Sequence, residues 1–311
     1  MSGHRTKDTG QRRELGRREL GRRLDGLYES YNREESATDP VHLVRPFARN
    51  DDREIAGFCA AALAFGRVQS VINSIGTLFT IMGSHPAQFV REFDPQAPHP
   101  ELRRMVHRWT RGVDLVALLW ILRQMLERSD SIEGFFLEGL SDDHEDVGPA
   151  LDSFSTRALA LDLRRAYGRA GSGKRTGVCY FFPRPSAGSA CKRLNLFLRW
   201  MVRSDEIDLG VWTRVPAAKL IVPLDTHVIR LGHCLRLTKY SSAGWKMAAD
   251  ITATLRALDP GDPVRFDFSI CHVGMMNACG YGRRQGDSQC PLRGLCRPRR
   301  RVSSPSSRRS S

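Results

Sequence analysis

The sequence predicts an all-α protein, and three observations lead there. Ile55–Ile81 is apolar and alanine-rich at helical spacing, with Gly66 as the expected break. Leu115–Leu126 is an apolar run of twelve residues interrupted only by Arg123, too short to cross a bilayer and suited to a buried helix. Strand signals are scarce, with Val178–Phe182 the one short β-like run. Further helices are expected over Leu102–Thr110, Ser155–Tyr167, Ser189–Val202, Thr226–Cys234 and Trp245–Leu258. Gly168–Gly177 reads as a basic loop: its glycine spacing approaches a phosphate loop, but Arg175 stands where a Ser or Thr would hold magnesium.

The chain has 311 residues and a formal net charge of +14, which points to a polyanionic partner. At 41% hydrophobic residues it is too apolar for a disordered chain. The charge is unevenly spread. Residues 1–24, with the near-repeat RRELG-RRELG-RR, carry +5 and read as a disordered arm; the Ser- and Pro-rich tail 293–311 carries +7 and reads the same way. Within the body, 25–292, residues 25–126 are near neutral, 127–152 carry −8 and 153–292 carry +11. A polyanion is therefore expected to lie on the last of these. The N-terminus has no apolar run and reads as lacking a secretory signal, and eight cysteines without one read as thiols or metal ligands. The expectation is a cytoplasmic, nucleoid-associated protein with no membrane contact and no obligate protein partner.

Two stretches carry chemistry. In Pro183–Val202 a Pro-rich turn leads into Gly188-Ser189-Ala190-Cys191-Lys192-Arg193 and an amphipathic segment. A tight turn at a helix start aims backbone N–H groups at a phosphate, and Lys192 follows it directly. In Ile221–Leu231, IVPLDTHVIRL, an apolar segment ends in Asp225, which reads as a helix N-cap and a candidate cleft residue. His227 reads as structural, and Trp200, Trp212, Trp245 and Phe266 read mainly as core.

Together these stretches resemble the helix-hairpin-helix DNA glycosylase superfamily of endonuclease III and 8-oxoguanine glycosylase, with Ala190 where that motif usually has a second glycine. Residues 52–71, 188–203, 223–232 and 259–274 are also similar to an uncharacterised family, domain-of-unknown-function family 2400, over roughly residues 25–296. The superfamily resemblance implies two helical lobes with a cleft between them. It also implies base excision from double-stranded DNA, with Gly188, Ser189, Ala190 and Arg193 on the DNA, Lys192 as nucleophile and Asp225 as partner. An attacking amine must be neutral, which apolar surroundings favour, and Leu194, Leu196 and Phe197 flank Lys192. Cys271, Cys279, Cys290 and Cys296 resemble the end of an iron–sulfur loop, although the intervals are seven, ten and five residues instead of six, two and five. They are a candidate set for a [4Fe–4S] cluster or a zinc ion. Two other readings stand beside the enzyme: a non-catalytic DNA-binding protein of the same fold, and an RNA- or nucleotide-modifying protein.

Overall fold

The computed structural model describes residues 4–33, 39–168, 177–275 and 289–296, with side chains from Gly16 onward. The all-α expectation holds. The helices are α1 (His4–Tyr31), α2 (Asn50–Leu63), α3 (Val68–Met82), α4 (Pro86–Glu92), α5 (Pro100–Arg104), α6 (Gly112–Ser129), α7 (Ile132–Leu137), α8 (Gly148–Leu159), α9 (Arg164–Tyr167), α10 (Lys192–Val202), α11 (Thr226–Leu235), α12 (Trp245–Arg256) and α13 (Asp267–Met275). Two two-residue strands, β1 (Val106–His107) and β2 (Thr110–Arg111), pair antiparallel. No helix among the described residues is long and apolar enough to cross a membrane.

Helix α10 runs through the centre, buried from Leu194 to Met201. On one side it packs on α2, which heads a group of mutually packed helices, α2 to α9. On the other lie α11 and α13, and α1 packs on α13. The buried carboxylate of Glu54 in α2 ties that helix to α7 and to the segment after α10. It accepts from the backbone N–H groups of Ile132 (3.0 Å) and Glu133 (2.8 Å) at the start of α7, and from the indole of Trp212 (2.7 Å).

Several boundaries differ from the sequence expectation for identifiable reasons. The break at Gly66 is real: its φ of +116° is one that only glycine adopts without strain. The expected helix over Leu102–Thr110 stops at Arg104, because His107 turns inward. One ring nitrogen lies 2.9 Å from Ser74 Oγ and the other 2.8 Å from the Phe65 carbonyl, so the chain bends into the β1–β2 hairpin. The expected helix over Ser155–Tyr167 is two helices, since Asp162 accepts from the Arg164 N–H (2.9 Å) and starts a new turn. Val178–Phe182 is not a strand; a 3-10 helix covers Gly177–Phe181. The loop residues 169–176 lie outside the described residues.

Of the expected arm, residues 1–24, those described are helical. From His4 they belong to α1, whose Leu24 is fully buried and whose Tyr28 hydroxyl donates to Asp205 (3.0 Å). The Arg23 guanidinium donates to the Pro291 carbonyl (2.9 Å), Leu292 is buried, and Leu295 and Cys296 pack against the core. Of the tail 293–311, only 293–296 is described. Leu24→Ala should cost about 2–5 kcal/mol in urea unfolding, as for other fully buried leucines. A cost below 0.5 kcal/mol would restore the view that the N-terminal segment is dispensable for folding.

Candidate active site

Helix α10 begins at Lys192 rather than at Ser189, because two residues before it take left-handed backbone. Gly188 has φ +81° and Cys191 has φ +48°. Ala190 needs no positive φ, so its methyl group introduces no backbone strain where the related motif has glycine. The Cys191 N–H is taken by Ser189 Oγ (3.1 Å), and no side chain caps the helix. Its first-turn N–H groups beyond Cys191 are therefore left for an external acceptor. Gly188 is exposed, and Ser189 and Ala190 are part-buried.

Asp225 caps α11, as its sequence context predicts. One carboxylate oxygen accepts from the N–H groups of His227 (2.9 Å) and Val228 (2.8 Å). The other oxygen accepts from the Cys271 thiol, with sulfur and oxygen 3.3 Å apart. His227 packs against α13 at Gly274, a structural position.

Lys192 and Asp225 line one cavity of about 200 Å³. Its walls are largely apolar, with Phe65, Val71, Leu196, Phe268 and Met275; of the three apolar neighbours expected around Lys192, only Leu196 faces it. Its floor is charged. The buried Arg199 guanidinium reaches Asp39 (2.7 Å), Asp208 (3.1 Å) and Asp267 (2.7 Å). Arg203, one turn on, continues the network to Asp205 (2.8 Å), Asp262 (2.9 Å) and Asp208. Five carboxylates thus share two guanidiniums, an excess that makes one of them hard to ionise. Asp267 is the clearest case: burial pushes its carboxyl up to about 7 against the pull of Arg199, Asp225 adds to the rise, and one oxygen has no partner.

A second, larger cavity of about 790 Å³ adjoins the first. Ser189, Ala190, Lys192, Arg184 and Tyr180 line it, with no carboxylate among its lining residues. Ala64, Phe65 and Lys192 border both spaces. Lys192 thus stands on the partition between a basic groove and a pocket with an acidic floor.

Arg193, expected on a phosphate, lines the groove, but its guanidinium is engaged within the protein. Its guanidinium donates to the Ala62 carbonyl at the end of α2 (3.0 Å) and to the Tyr180 carbonyl, and lies over the Phe65 ring. Burial lowers its pKa to about 10. Trp200, Trp212 and Phe266 are core residues, and neither they nor Trp245 line the pocket. The four late cysteines are not brought together among the described residues: Cys279 lies outside them, and no group of three or more described His, Cys, Asp or Glu side chains could hold a metal ion. Cys271 is a protonated donor in this structure. Burial and the carboxylates of Asp225 and Asp267 raise its pKa and keep the proton that it donates to Asp225.

Asp39, Arg199 and Asp267 were not singled out in the sequence. One signal was present: Arg199 interrupts the apolar run LFLRWMV, where a charge must be paired if it is buried. The four stretches that carry the family resemblance converge on the pocket. They supply Phe65, Lys192, Asp225 and Asp267, one from each, and leave only Asp39, Pro40 and Met275 of its lining to other segments.

The chain matches the model of a protein family of unknown function, DUF2400, over residues 39–276. It belongs to that family. No curated protein and no solved structure matches it.

The floor carries a pH signature. The folded-state pKa of Asp267, about 7, lies above the unfolded value of about 3.9. The folded protein therefore holds the extra proton between those values, and its stabilising effect is lost as pH rises through 7. Between pH 6 and pH 8 the wild type should lose about 1 kcal/mol of stability that Asp267→Asn retains. Equal pH slopes for the two proteins in urea titrations would contradict the assignment.

Proposed function

We propose that the protein is a DNA base-excision glycosylase with associated lyase activity, built on the helix-hairpin-helix glycosylase plan of two helical lobes around a cleft. One observation carries this reading. Lys192 and Asp225 lie 33 residues apart in the sequence, yet they line the same small pocket, and Lys192 also borders the groove.

The groove suits a DNA strand. It has Arg184 and Lys192 but no carboxylate in its lining, and the uncapped start of α10 offers backbone N–H groups to a phosphate. The pocket suits a single base turned out of the duplex, with the rings of Phe65 and Phe268 for stacking and with carboxylates beneath. In this mechanism the neutral amine of Lys192 attacks the sugar C1′, and the base leaves with the bonding electrons. Asp225, through the oxygen that carries only the Cys271 thiol, offsets the positive charge that develops on the sugar and takes up the proton released from the amine. Ring opening gives a Schiff base at Lys192, from which β-elimination breaks the strand. An oxidised base is the favoured substrate class.

Borohydride reduction tests the covalent step. On duplexes bearing oxidised or alkylated bases, wild-type protein should be trapped as a DNA adduct, Lys192→Gln should lose trapping at least 100-fold, and Asp225→Asn should slow base release by about 10²–10⁴-fold. Equal trapping by wild type and Lys192→Gln would remove Lys192 from the chemistry.

A further inference from the structure

The β1–β2 hairpin carries a surface that the base-excision reading does not use. Arg108 and Trp109 form its two-residue turn, with Arg108 at φ +55°, a left-handed conformation that a non-glycine side chain seldom takes. His107 pins the hairpin from within through Ser74 and Phe65. Trp109 is thereby held 52% exposed, although large aromatic side chains are usually covered. Its ring stacks on Phe65, with centroids 4.8 Å apart and planes 30° apart, and Tyr180, 56% exposed, lies 6.2 Å away. The Arg108 guanidinium lies 5.2 Å from the Trp109 ring centre.

The surroundings are cationic. From Leu102 to Val113 there are four arginines and no acid, and all four are exposed. Arg104, Arg108 and Arg111 form no ion pair among the described residues. Phe65, beneath Trp109, also lines the pocket and the groove, so the aromatic surface is continuous with both. Rigid exposed rings flanked by unpaired arginines match the two halves of a nucleic-acid strand, flat bases and charged phosphates.

We infer that the Arg108–Trp109 turn is a base-stacking site for DNA. The free side of Trp109, with Tyr180, takes an unpaired base next to the one held in the pocket, while Arg104, Arg108 and Arg111 meet the flanking phosphates. The inference rests on the proposed action on DNA, but it concerns binding and not bond breaking. It implies tighter binding to strands with unpaired bases than to perfect duplex.

Fluorescence reads the site directly. Trp120, Trp200 and Trp212 are buried and Trp245 is partly buried, so acrylamide quenches Trp109 most readily. The full-length chain is titrated at fixed salt with a 20-nucleotide single-stranded DNA, with the same duplex and with a duplex carrying a two-base bulge. Single-stranded and bulged DNA should protect the quenchable fraction. Trp109→Ala should abolish that protection and weaken binding by roughly 10- to 100-fold, and Trp109→Phe should recover most of the affinity. Unchanged melting of Trp109→Ala is expected from its exposure and separates lost binding from lost folding. Affinity of Trp109→Ala within twofold of wild type, or unprotected Trp109 in the complex, overturns the inference. If a 20-nucleotide RNA of the same sequence, titrated in parallel, binds and the DNA strands do not, the assignment to DNA is overturned. If Trp109→Ala loses affinity while wild-type protein yields no borohydride adduct, the stacking site stands and the glycosylase reading falls. Adduct formation with unimpaired Trp109→Ala binding gives the reverse.

Discussion

The Arg199 guanidinium is the interaction on which the rest of the molecule depends. It sits in the central helix and reaches three carboxylates from segments far apart in the chain: Asp39 ahead of α2, Asp208 in the loop after α10, and Asp267 at the start of α13. Each is buried or nearly so, and a buried charge without its partner costs several kcal/mol. The three segments are therefore fixed relative to α10 more firmly than apolar packing alone would fix them. The same contact determines where α13 begins, hence where Cys271 stands, and so what the free oxygen of Asp225 touches.

That dependence explains what the sequence disclosed about the site and what it withheld. Lys192 and Asp225 were legible because each sits in a local pattern with a local physical meaning: a turn ahead of a helix, and an N-cap after an apolar segment. Their meeting in one pocket could be expected only through the family resemblance, because nothing in the 32 intervening residues prescribes it. Asp39 and Asp267 look like any acid that starts a helix. Their role comes from a guanidinium that is distant in sequence, and no periodicity encodes that. Arg193 misled for the opposite reason. The resemblance put its side chain on DNA, whereas its fork fits the Ala62 and Tyr180 carbonyls.

The fold was legible to a similar depth. Helices whose apolar stripe is continuous, such as α2, α3, α6 and α11, lie where the pattern puts them. The misreadings cluster where a tertiary contact overrides local preference. His107 found two acceptors on other segments and drew a helical stretch into a hairpin. Leu24 found the core and drew a segment of high charge into an ordered helix. High net charge describes a segment's solvation, and a few buried side chains such as Leu24 and Leu27 decide its attachment.

The shared wall between groove and pocket has an electrical consequence. The groove lining bears cations and no carboxylate, whereas the pocket floor carries more carboxylates than guanidiniums. A polyanion lying in the groove would meet repulsion as soon as one of its phosphates moved toward the pocket, while an uncharged ring would meet none. On the proposed reading, the partition at Lys192 would work as a charge filter, keeping the backbone of a strand on one side of the amine and favouring neutral or cationic groups on the other.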